Sequence, residues 1–281
     1  MPTFDTPEPI TATVELVAGS LTVLATDRTD TTVDVRPAEP EDPADVRAAG
    51  QVRVEYADGA LTVRAPLRWQ HLSPRGSGGT VDVTIELPTG SRLHHRAAMG
   101  DLRCSGRLDE CQARSSLGHL TLEDTGPITL STTGRVTVGR VAGRAEVSAA
   151  GAVRIGAVDG PAVLRNTNGA THVGEVTGDL KANAANGSIT VDRALGAVRA
   201  RSANGDIRLG EVVRGEIALD TAAGDIEVGV ATGTAAWLDV NAPAGRVDVA
   251  LDPAERPGGG DVVELRARTH FGDIAVRPAA S

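Results

Sequence analysis

Ten glycines, Gly100, Gly118, Gly134, Gly151, Gly169, Gly187, Gly205, Gly224, Gly245 and Gly272, each open a Gly-x-aliphatic-x-aliphatic segment. Their intervals range from 16 to 27 residues and are a constant 18 from Gly151 to Gly205. Two residues after the glycine stand Leu102, Leu120, Val136, Val153, Thr171, Ile189, Ile207, Ile226, Val247 and Ile274, and four after it Cys104, Leu122, Val138, Ile155, Val173, Val191, Leu209, Val228, Val249 and Val276. The position between holds Arg, Thr, His, Glu, Asp or Ala. That period of two is a strand with one dry and one wet face. A second inward set, Ala162 and Leu164, Leu180 and Ala182, Val198 and Ala200, Ile217 and Leu219, fills the other half of each unit. A two-strand unit of this size cannot bury its own apolar face, but identical units stacked on one another share a continuous core.

The expected fold is therefore all-β: a single-stranded β-solenoid, or β-helix, of about ten coils with about 18 residues each, capped at both ends. Composition fits a thin interior, since aromatic residues make up only 2% of the chain and 33 glycines supply the corners. Asn168, Asn186 and Asn204 precede repeat glycines at 18-residue spacing and predict a turn ladder in which stacked amides bond one another. Residues 1–96 read as an N-terminal β cap with irregular first coils, 97–230 as the regular repeats, and 231–281 as the last coils and a C-terminal cap, with Trp237 and the loop DPAERPGGGD as cover. GSLTV at Gly19 and GALTV at Gly59 both match the repeat strand.

The sequence excludes more chemistry than it suggests. The net charge is −9, with Lys and Arg scattered, which argues against a nucleic-acid groove. No run approaches a membrane span, and the N-terminus has no basic, apolar leader, so the expected location is cytoplasmic. Cys104 and Cys111 lack a second pair for zinc and read as core hydrophobes. The acids after Gly100, Gly205, Gly224 and Gly272 invite a calcium reading, but other coils carry His119, Arg135, Ala152, Ala170, Ser188 or Arg246 there. His94 and His95 are adjacent and so point to opposite faces of a strand. No nucleophile, metal or phosphate-loop motif appears, so no catalytic residue, cofactor or metal ligand is assigned. A polysaccharide-acting enzyme would need recurrent carboxylates and sugar-stacking aromatics, which the outward positions lack. One stretch stands out: RAPLRWQHLSPRG places Trp69 among Arg64, Arg68 and Arg75, a composition suited to partner contact.

The phrases FDTPEPITATVELVAGSLTVLATDR, VDVTIELPTGSRL, AAMGDLRCSGRL, NGDIRLGEV, GTAAWLDV and RTHFGDIAV together resemble the bacterial "putative adhesin" family of unknown function, the YvlB-like, DUF4097-type β-strand-repeat proteins. The resemblance covers nearly the whole chain. It implies a β-solenoid with no established catalytic residues, surface exposure from the adhesin label, and an envelope-stress or regulatory setting. The functional expectation is a non-catalytic interaction scaffold with a protein partner; the alternatives are an adhesin-like carbohydrate binder and, behind it, a polysaccharide-acting enzyme.

Overall fold

The structure, a computed structural model, describes residues 1–65, 79–251 and 261–279. The chain forms a β-solenoid whose coils each contribute a strand to two parallel sheets, here called A and B. It divides into two compact units, Met1–Val138 and Gly139–Ser281.

In the first unit the strands are β1 (Thr3–Asp5), β2 (Thr11–Thr26), β3 (Asp30–Pro37), β4 (Arg53–Ala57), β5 (Ala60–Arg64), β6 (Val81–Pro88), β7 (Arg92–Met99), β8 (Leu102–Leu108), β9 (Glu110–Leu117), β10 (Leu120–Thr125) and β11 (Ile128–Thr132), with helix α1 (Pro43–Ala49) after β3. The long strand β2 forms a whole coil. Its Thr11–Ala18 half lies in sheet B between β5 and β7, and its Gly19–Thr26 half lies in sheet A between β6 and β8. The first coil in the sequence is thus the second layer of the stack. Outside it, β3 runs antiparallel on β6, β1 on β3, and β4 on β5. The GALTV segment therefore does not begin a repeat coil of the GSLTV kind. Asp58 and Gly59, both at positive φ, close a tight β4–β5 hairpin that sets GALTV in sheet B, whereas GSLTV stands in sheet A. Helix α1 starts at Asp42, whose side chain accepts from the Ala44 amide, with Pro43 at its first turn.

Strand β12 (Val136–Val141) spans the boundary between the units. In the second unit β13 (Ala145–Ala149), β15 (Ala162–Asn166), β17 (Leu180–Asn186), β19 (Val198–Asn204) and β21 (Gly215–Ala223) stack in register as sheet B. β14 (Val153–Val158), β16 (Thr171–Val176), β18 (Ile189–Ala194), β20 (Ile207–Val212) and β22 (Ile226–Val230) do the same as sheet A. The coil order then departs from the sequence. After β23 (Ala235–Asn241) and β24 (Val247–Val249), the chain returns as β25 (Val262–Phe271) and β26 (Ile274–Pro278), which insert between β21 and β23 and between β22 and β24. Residues 235–249 therefore form the outer coil, and the last coil in sequence lies inside it.

The inward rows carry the core. In sheet A, Ile189, Ile207, Ile226 and Ile274 stand in register at 1% exposure or less. Each such side chain contributes roughly 1.5–3 kcal/mol on burial. Thr171 interrupts that row and is buried, but Asn166 Nδ2 donates to its hydroxyl at 3.2 Å. The coil corners are tied by hydroxyls that follow the inward rows of sheet B: Ser115, Thr132, Ser202, Thr221 and Thr269 donate to the carbonyls of Gly100, Gly118, Gly187, Gly205 and Gly224. The glycines are required by close approach. At Gly205, φ is +148° and a Cβ would stand 2.5 Å from the Gly187 carbonyl carbon and 2.9 Å from the Ser188 amide.

The asparagine ladder forms beside these corners. Asn186 Nδ2 donates to Asn168 Oδ1 at 3.1 Å, and Asn204 Nδ2 donates to Asn186 Oδ1 at 3.0 Å. Asn186→Ala breaks both bonds, and the expected loss is about 1 kcal/mol because the ladder is solvent-exposed. Thr190→Ala, on the wet face, should change stability by less than about 0.5 kcal/mol. Matched urea unfolding curves of the two variants check this.

Candidate binding face

Of the four residues whose composition suggests partner contact, Trp69, Arg68 and Arg75 lie outside the described residues. Arg64 lies on the outer face of sheet B, where its guanidinium pairs with Glu15 at 3.1 Å. Cys104 and Cys111 are buried free thiols. The Cys111 thiol beside it, and then burial, push the Cys104 thiol well above its ordinary range, so it stays protonated and unreactive.

The glycine-acid pairs have a structural task. The carboxylate of each accepts from a backbone amide one coil on: Asp101 from His119, Asp206 from Asp225, Asp225 from Asp273, and Asp273 from Arg246. These acids replace a missing ladder partner at the corner. Where another residue stands there, His119 Nδ1 accepts from the Arg135 amide at 3.0 Å instead. Among the described residues no group of three or more His, Cys, Asp or Glu side chains is placed to hold a metal ion, and no helix is long and apolar enough to cross a membrane.

Stacking gathers charges that the sequence scatters. On the outer face of sheet B in the second unit, one row runs Lys181, Arg199, Ala218, Arg266 and Asp239, and the next runs Asn183, Arg201, Asp220, Arg268 and Asn241. Ala218, the one short side chain in the first row, floors a groove of about 460 Å³ whose wall carries five cations, Lys181, Arg199, Arg201, Arg266 and Arg268, against the carboxylates Glu216 and Asp220. Arg201 pairs with Asp220 at 3.2 Å, Arg199 with Glu216 at 3.5 Å, and Arg266 with Asp239 at 3.1 Å. Arg268 shares Asp239 at 3.6 Å, and Lys181 has no ion pair among the described residues. All these pairs are more than a third exposed, so each is weak and each guanidinium keeps free donors.

The outer coil carries a second feature. Trp237, Val247 and Val249 are 69%, 44% and 42% exposed, on β23 and β24, and Phe271 at the end of β25 is 69% exposed. Among the described residues β23 and β24 have a strand partner on one side only. Trp237, read from the sequence as part of a C-terminal cap, stands in solvent on the outer coil, beside Glu264 and Arg266.

Solved structures similar to this chain include a "putative adhesin" from Bacteroides fragilis (12% identity, 98% of this chain and 95% of that one covered, TM-score 0.33). Another "putative adhesin", from Parabacteroides merdae, is 10% identical over 99% of this chain and 95% of its own, with a TM-score of 0.36. A "putative cell adhesion protein" from Clostridium sporogenes is 9% identical over 99% and 98%, with a TM-score of 0.25. No curated protein matches the chain. The sequence profile described as Toastrack DUF4097 matches residues 19–277, so the chain belongs to the Toastrack DUF4097 family.

Proposed function

We propose that this protein is a non-catalytic interaction scaffold that holds a protein partner on its outer coil, at β23 and β24. The observation that carries the reading is the exposure of Trp237, Val247 and Val249 on strands that have no second strand partner among the described residues, in a chain with only two tryptophans. An exposed tryptophan with neighbouring arginine and aliphatic side chains is the composition of an interface anchor. A parallel edge with no second partner among the described residues offers its amides and carbonyls to an incoming strand. The solenoid contributes rigidity, so little ordering cost falls on the scaffold when the partner docks. The acids that could have suggested catalysis or calcium are occupied by backbone amides. The envelope-stress or regulatory setting is what the family resemblance implies, and the reading makes the partner a protein of that setting.

Pull-down from cell extract with the tagged wild type, Trp237→Ala and Val247→Lys/Val249→Lys tests this. The expected result is one partner retained by the wild type and depleted at least tenfold by each variant, a loss of about 1.4 kcal/mol or more. Circular dichroism should be unchanged for Trp237→Ala, whose ring faces solvent, and for the double variant, whose valines sit over Ile274 and Val276 at the end of the stack and are already more than two-fifths exposed. Equal capture by all three proteins would overturn the reading.

A further inference from the structure

We propose that the groove over Ala218 is a binding site for an acidic glycan, a sugar chain carrying carboxylate or sulfate groups. This site adjoins the edge that the protein-scaffold reading uses and shares Arg266 with it, but it rests on the groove lining rather than on the exposed edge, and Ala218→Glu and Trp237→Ala separate the two. Its walls bring five cations against two carboxylates, in a chain whose net charge is −9. Local excess of positive charge on an acidic protein marks a place where an anion is favoured despite the overall repulsion.

The lining also says which kind of anion. Arg199 and Arg266 flank Ala218 in one row, so the floor is a short methyl between two guanidinium groups that stand two coils apart, on the order of 10 Å. An oxyanion seated there meets planar donors from both sides, the arrangement that binds carboxylate and sulfate in bidentate fashion. Glu216, Asp220 and Asn183 line the same groove and accept hydrogen bonds. A pure polyanion has no use for these acceptors and is repelled by two of them. A sugar does use them, because its hydroxyls donate to carboxylates while its acidic group binds arginine. Nucleic acid fits less well, since no aromatic ring lines the groove to stack a base and the phosphate chain would pass over Glu216 and Asp220. A peptide fits less well too, since apart from the Ala218 methyl every lining side chain is polar and nothing would receive an apolar anchor.

The geometry assigns distinct roles. Arg199 and Arg266 hold the acidic group, Glu216 and Asp220 orient the sugar through its hydroxyls, and Lys181, without an ion pair among the described residues, extends the positive track by one coil beyond Arg199. Binding should weaken as salt rises, because the cations are solvent-exposed and screened.

Isothermal titration with four probes tests the proposal: polygalacturonate, dextran sulfate, neutral dextran and single-stranded DNA. The wild type should bind polygalacturonate, dextran sulfate or both, which separates the carboxylate and sulfate sources, and should not bind neutral dextran. Arg199→Ala/Arg266→Ala and Ala218→Glu should each weaken that binding at least tenfold. Ala218 faces outward on the sheet, so neither variant disturbs the core. Trp237→Ala should leave glycan binding within about twofold while removing the protein partner, so the two readings fail independently. The proposal is overturned by no binding of either acidic polymer, by equal binding of neutral dextran, by DNA binding as tight with the same sensitivity to Ala218→Glu, or by acidic-glycan binding that both groove variants leave unchanged.

Discussion

Ile207→Asp is expected to abolish the cooperative unfolding of the second unit, whereas Arg208→Asp, one residue along the same strand, should cost about 1 kcal/mol at most. Ile207 is fully buried and stands in register between Ile189 and Ile226. The substitution removes an apolar side chain worth roughly 1.5–3 kcal/mol and puts a carboxyl where the neighbours offer no hydrogen-bond partner. Together these exceed about 4–5 kcal/mol, a large share of the roughly 5–15 kcal/mol that holds a domain. In a stack each coil is stabilised by its neighbours, so the damage spreads to both sides of β20. Arg208 faces solvent and pairs with Glu227 at 2.8 Å across the next strand. Its replacement exchanges a weak surface attraction for a weak repulsion. Urea unfolding followed by far-UV circular dichroism distinguishes the two, and equal effects would mean that the inward and outward rows are assigned to the wrong faces.

The rows that decide this experiment are legible in the sequence, because a period of two with a fixed repeat determines which residues share a face. Asn168, Asn186 and Asn204 are legible for the same reason: they recur at one corner. What periodicity does not encode is which coil lies on which. Leu265 and Ala267 of β25 offer β21 inward side chains of the same kind as Leu238 and Val240 of β23. Either strand could stack there by apolar pattern alone, and the tandem order is only the simplest choice. The insertion of β2 between the β5–β6 and β7–β8 layers is hidden in the same way. The Asp58–Gly59 hairpin is readable from its turn chemistry, but the match of GALTV to the repeat motif masks it.

The groove over Ala218 depends on that hidden order. Lys181 and Arg199 are one repeat apart in sequence, but Arg266 and Arg268 reach the face only because β25 inserts beside β21. Read along the chain the cations look dispersed; read across the coils they form a track. The environment of Trp237 is hidden for a related reason. An aromatic near the end of a repeat array suggests a lid, but the strand that carries it is the outer layer, with its ring in solvent.

His95 carries the second large effect. It lies on β7 at an inward position, in register with Val14 and Ala113 and flanked along the strand by Leu93 and Ala97, none of which titrates. Neither ring nitrogen has a hydrogen-bond partner among the described residues, and burial lowers its pKa to about 4, offset only in part by the Val14 backbone. In the unfolded chain the imidazole titrates near 6.5. Above pH 7 both states are neutral and stability is full. Between 6.5 and 4 the unfolded chain takes up a proton that the folded chain refuses, so stability falls by about 1.4 kcal/mol per pH unit and levels off about 3 kcal/mol lower below pH 4. From pH 7.5 to pH 5 the wild type should therefore lose about 2 kcal/mol through this residue alone. His95→Leu fills a similar volume without a titrating group and should be nearly flat over that window, while surface carboxylates titrate alike in both proteins. Urea unfolding at pH 7.5 and pH 5 measures the difference, and parallel losses in wild type and His95→Leu would show that His95 is protonated in the folded state or reaches solvent.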